Sequence, residues 1–149
     1  MPNTTPLTPA ETRDLRAFAA TMIPASPRYA VPGADDETIF ADILNNLGRD
    51  RGDVRAALAR LATLAGGPFV DLSPDRRAEI ANTFRAESGA LLGAVSRAIL
   101  LCYYRDDRVM RSLGQEPRSP FPKGHTVEQG DWSLLDPVKK RTPFWRRAS

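Results

Sequence analysis

Ala90-Leu91-Leu92-Gly93-Ala94-Val95-Ser96-Arg97-Ala98-Ile99-Leu100-Leu101-Cys102-Tyr103-Tyr104 is the stretch on which the fold turns. Leu91, Leu92, Val95, Ile99 and Cys102 recur at spacings of three and four, and Ala98 and Leu101 widen the stripe. A helix that is apolar over most of its circumference belongs in a core, packed by other helices on several sides. Fifteen residues interrupted by Arg97 are too few and too polar to cross a bilayer. The stretch reads as the hub of a soluble helical domain.

The segments upstream supply the helices that would surround it. Thr8-Pro9-Ala10-Glu11 is a capping box with proline at the first helical position, and Leu15, Phe18, Ala19 and Met22 follow at helical spacing. This predicts a helix over 9–22, stopped by Pro24. Ile23 to Ala34 holds Pro24, Pro27 and Pro32 and reads as an extended, specific loop. Asp35 or Asp36 can cap a second helix with Ile39, Phe40, Ile43, Leu44 and Leu47 inward, and Gly48 as its C-cap. Asp50 opens a third helix carrying Val54, Leu58, Leu61 and Leu64 up to Gly66-Gly67. Ser73-Pro74 repeats the cap-plus-proline start for a fourth helix with Ile80 and Phe84 inside. Glu87-Ser88-Gly89 is a break or bend into the central helix, and Gly89 and Gly93 would let a neighbouring helix approach closely. Asp106-Asp107 starts a short helix through Leu113, closed by Gly114. Flanked by Arg105 and Arg108, these aspartates read as caps and local ion pairs. No segment sustains period-two alternation, so no substantial sheet is expected. The expected architecture is all-α: a bundle of about five helices plus a short one over 1–114, and an irregular Pro/Gly-rich tail over 115–149.

That tail contains Pro117, Pro120, Pro122, Pro137 and Pro143, which exclude a long helix. It also holds Phe121, Trp132, Leu134, Leu135, Phe144 and Trp145, including both tryptophans of the chain. Such a segment can strap its own domain, wrap a partner through spaced aromatic anchors, or stay disordered.

A chain of 149 residues suits one domain with a real core. The net charge of +3 is modest and acidic residues are interspersed among the arginines, so no nucleic-acid footprint stands out. The single cysteine, Cys102, allows no intramolecular disulfide and no thiolate cluster. Met1 to Leu7 lack the basic and apolar regions of a secretory signal, so the expected location is the cytoplasm. A periplasmic location is the alternative, if a signal-bearing partner carries the chain out.

Catalytic chemistry finds little material. His125 is the sole histidine, in the tail and without a recognisable nucleophile motif beside it. One His and one Cys do not furnish a closed zinc site, and the glycine pairs lack the setting of a phosphate loop. No catalytic, cofactor-binding or metal-binding residue is assigned.

The order of short motifs is more telling. Met22-Ile23-Pro24-Ala25 and Val31-Pro32-Gly33-Ala34 follow the first helix, and Tyr103-Tyr104, Val109-Met110, Leu113-Gly114 and Gly124-His125 come later. This resembles the gluconate 2-dehydrogenase subunit 3 family, the small subunit of bacterial flavin-dependent sugar and polyol dehydrogenases, over roughly positions 9–137. Two departures are the missing twin-arginine signal and Gln115, where the family carries an aromatic residue after Leu-Gly. The resemblance implies a chain without a cofactor of its own. Its partner would be a large oxidoreductase of the glucose-methanol-choline type, which holds FAD and acts on a sugar, glycoside or polyol, with a cytochrome as a further candidate in the electron path. The interface residues implied are Tyr103, Tyr104, Phe121, His125, Trp132, Phe144 and Trp145, with Pro24, Pro32 and Gly33 in a second contact loop. For Tyr103 and Tyr104, core packing with the hydroxyls at the rim is an equal alternative. The rival function is a free-standing helical regulator or nucleic-acid-binding protein, whose affinity would fall steeply with salt.

Overall fold

The computed structural model describes residues 5–119 and 121–142. Phe144 and Trp145 lie outside the described residues. The chain divides into two compact units, with the break between Pro117 and Arg118. Among the described residues there are seven α-helices and no strand; Ser26 and Val31 form an isolated antiparallel bridge.

The first unit holds α1 (Pro9–Met22), α2 (Glu37–Asn46), α3 (Arg51–Ala65), α4 (Pro74–Glu87), α5 (Gly89–Tyr103) and α6 (Asp107–Ser112). Each start has a local chemical cause. At α1 the capping box closes both ways: the Glu11 amide donates to Thr8 Oγ1 at 3.2 Å, and the Thr8 amide donates to Glu11 Oε2 at 2.7 Å. Asp36, rather than Asp35, caps α2, accepting from the amides of Thr38 and Ile39. Ser73 and Pro74 open α4 as the sequence predicts. α3 ends where Gly66 turns left-handed, with φ of 74°, and the Gly67 amide reaches back to the Ala62 carbonyl at 3.1 Å.

Three details depart from the sequence expectation. Gly48 is not the cap of α2: Leu47 holds that place, and Gly48, with φ of 44°, opens a 3-10 turn over Gly48–Asp50 that leads straight into α3. Asp50 stands at the N-cap of α3, where the sequence places the helix start, and its side chain accepts two hydrogen bonds from Arg97 on α5, at 3.0 and 2.8 Å. Gly89 and Gly93 do not admit a neighbouring helix, since a Cβ built on either would meet nothing within 4 Å among the described residues. Finally, Leu101, expected in the buried stripe, is 63% exposed, and Leu100 beside it is exposed as well.

The core explains this last point. α5 packs on α2, α3 and α4, burying Ala94, Val95, Ala98, Ile99, Cys102 and Tyr103. These partners lie against that face, and among the described residues Leu100 and Leu101 on the other side of α5 are left exposed. The core cluster runs through all six helices and contains an edge-to-face aromatic trio, with the Phe18 ring 6.0 Å from Phe69 and 5.8 Å from Phe84. Between α4 and α5 the chain bends by 120° at Ser88. Bidentate arginine–carboxylate pairs tie the elements together at the surface: Arg97 to Asp50, and Arg108 on α6 to Asp36.

The second unit has no long helix. A 3-10 turn over Trp132–Leu135 leads directly into the short α7 (Asp136–Lys139). Asp131 caps the turn, accepting from the Ser133 amide at 3.0 Å and its hydroxyl at 2.6 Å. Trp132 Nε1 donates to Gln129 Oε1 at 3.3 Å.

Candidate functional site: an aromatic groove beside a locked loop

The loop from Ile23 to Ala34 is fixed by its own backbone. The Ser26 amide donates to the Val31 carbonyl at 3.0 Å, and the Val31 amide donates to the Ser26 carbonyl at 3.2 Å. The Ala34 amide donates to the Ile23 carbonyl at 2.9 Å, which closes the loop at its base. Ala30 takes the left-handed conformation, φ 52°, between these bonds. Gly33 sits where no larger residue fits. A Cβ there would come 2.4 Å from Asp35 Oδ1 and 2.9 Å from the Ala25 nitrogen. Here the glycine is needed for space, because its φ is not positive.

Tyr103, the last residue of α5, fastens this loop to the bundle. Its ring is buried and its hydroxyl donates to the Pro32 carbonyl at 3.1 Å. Burial pushes the Tyr103 phenol above its ordinary pKa, with Tyr104 and Asp106 nearby acting in the same direction. Tyr104 meets it edge to face at 5.3 Å but is 52% exposed. The two adjacent tyrosines therefore divide the work: Tyr103 packs in the core, and Tyr104 faces outward.

Around Tyr104 lies a shallow groove of about 200 Å³, whose lining includes Tyr29, Val31, Tyr103, Tyr104, Val109 and Leu113. Tyr29, Tyr104 and Leu113 are largely exposed. Leu100 and Leu101 precede Tyr104 by one helical turn, so the exposed apolar surface continues along α5. Behind the groove, α6 is held by Arg108, which donates to both carboxylate oxygens of Asp36 and both of Asp106. The guanidinium holds both carboxyls below the usual aspartate value. Arg105 is similarly engaged by Asp42, at 2.6 Å. Arg105 and Arg108 are thus already paired, while Arg28 stacks over the Tyr29 ring at 5.4 Å, which leaves an apolar and aromatic face with one guanidinium at its edge.

Of the residues the sequence singled out, Tyr103, Tyr104, Pro32 and Gly33 come together around this loop, and Pro24 sits exposed at the loop's start. Phe121, His125 and Trp132 belong to the second unit and are exposed. Tyr29, Leu101 and Leu113 are not among the interface residues that the sequence singles out. Tyr29 had a legible signal, as an aromatic between Pro27 and Pro32 in a loop already identified. Cys102 is buried, and burial pushes its thiol up to about 11. Among the described residues, no group of His, Cys, Asp and Glu side chains is placed to hold a metal ion. Among the same residues, no single helix is long and apolar enough to cross a membrane. Comparison with protein-family models, with curated proteins and with solved structures returned no match.

Proposed function

We propose that this chain is a non-catalytic small subunit that binds and stabilises a large FAD-dependent oxidoreductase of the glucose-methanol-choline type, acting on a sugar, glycoside or polyol. The observation that carries the reading is the exposed apolar face of Leu101, Tyr104, Tyr29 and Leu113 on a backbone locked from behind. Contiguous exposed apolar surface marks an interaction site more often than it marks ordinary surface. A preorganised face also loses less conformational entropy on association than a mobile one. The motif order, with its Ile-Pro-Ala, Pro-Gly-Ala and Tyr-Tyr elements, supports the choice of partner.

The redox chemistry would reside in the partner's flavin, and this chain would act by mass action. Binding only the folded flavoprotein adds RT ln(1 + [L]/Kd) to its stability, about 2.7 kcal/mol at a hundredfold excess over Kd. Co-purification from native extract tests this. A large yellow chain retained by the wild type and lost with Tyr104→Ala supports the reading; a chain that recovers nucleic acid in a salt-sensitive manner favours the rival. Fractionating the cells first decides between a cytoplasmic complex and one carried to the periplasm by a signal-bearing partner.

A further inference from the structure

A second concavity lies where α1, α4 and α5 meet, away from the tyrosine groove. It is a cleft of about 420 Å³, within the size range of small-molecule sites. Phe18 and Met22 of α1 and Leu92 of α5 give it apolar walls, and Asn82 and Arg85 of α4 and Ser96 of α5 give it polar ones. α4 and α5 join at the 120° bend at Ser88.

Arg85, an exposed residue, is the cation that lines this cleft. Arg55, Arg60, Arg97, Arg105 and Arg108 each meet a carboxylate on another element. Arg85 has no ion pair or hydrogen bond among the described residues, and no Asp or Glu lines the cleft. The side chains of Asn82 and Ser96 likewise have no hydrogen-bond partner among those residues. An unpaired guanidinium, an amide and a hydroxyl thus share a concavity with apolar walls. That combination suits a ligand with an anionic head and an apolar body, because a guanidinium binds a carboxylate through charge-assisted hydrogen bonds.

We infer that this cleft binds a small apolar-bodied carboxylate, its head on Arg85 and its acyl or aryl body against Phe18, Met22 and Leu92. The purified full-length chain serves for the test, whatever its protein partner. Decanoate, titrated calorimetrically below its micellar range, binds saturably at one site. Decanol, with the same body and no charge, binds at least about tenfold more weakly, as does decanoate to Arg85→Gln, since a charge-assisted pair accounts for at least that factor. Ala78→Leu, at an exposed position lining the cleft, weakens both ligands by filling the space. Circular dichroism confirms that both variants fold. Three results overturn the assignment: absence of saturable decanoate binding, binding undiminished in Arg85→Gln, or binding undiminished in Ala78→Leu. A cleft that ignores decanoate but becomes protected from exchange when a protein partner binds is a protein-docking groove instead.

Discussion

The Tyr103 hydroxyl, 3.1 Å from the Pro32 carbonyl, and the missing side chain of Gly33 are two single-residue devices that hold the contact loop. They make separable predictions. Tyr103→Phe removes one partly buried hydrogen bond and lowers stability by about 1 kcal/mol, read as a drop of a few degrees in the melting temperature. Tyr104→Ala removes a half-exposed ring instead, and it costs partner binding more than stability. Gly33→Ala forces a Cβ against the Ala25 backbone nitrogen and destabilises by about 1–3 kcal/mol, measurable by urea unfolding. Asp36 and Asp106 give the acid dependence. Arg108 holds both below the ordinary aspartate value of 3.8. Their pairing therefore stabilises the fold fully above that value and is lost as pH falls through the depressed folded-state values. Arg108→Gln flattens this acid limb of the stability profile. At neutral pH it costs no more than about 1 kcal/mol, because the pairs are partly exposed and screened by solvent.

At the scale of elements, much of the helical layout is legible in the sequence. Helix starts are chemical signatures: Thr8-Pro9-Ala10-Glu11, Asp36 and Ser73-Pro74 each satisfy orphan amides in a way few other residues do. What the sequence does not reveal is which side of a helix finds a partner. Leu101 and Val95 are comparably apolar, yet Val95 is fully buried and Leu101 is largely exposed, because α2, α3 and α4 all lie against one face of α5. Periodicity reports where apolar residues point relative to one another, not how many neighbours surround them. The Asp50–Arg97 pair is illegible for the same reason, since the two residues lie forty-seven positions apart and no local pattern links them. The groove was half legible: the loop and the tyrosine pair stand out as motifs, but Tyr29 and Leu113 join them only through the fold. The element-scale prediction follows from the uncovered face. Leu101→Glu and Tyr29→Glu leave the helical content and melting temperature nearly unchanged, within about 0.5 kcal/mol as for ordinary surface changes. If the proposed function holds, both abolish capture of the flavoprotein, by introducing charge into the proposed apolar contact.

At the scale of the whole molecule, the first unit has a continuous core from Leu7 to Val109 and carries the groove, the locked loop and the cleft. The second contributes its own short turn and helix, with Trp132, Leu134 and Val138 exposed. Both units present apolar side chains to solvent, which the proposed accessory role would use. The central claim is that those side chains serve a flavoprotein, and the most direct measurement is capture of tagged full-length chain from native cell extract, followed by an absorbance scan of the eluate. The account predicts a large stoichiometric partner with flavin bands, retained by the wild type and lost from Tyr104→Ala and Leu101→Glu. A colourless eluate containing this chain alone would contradict it.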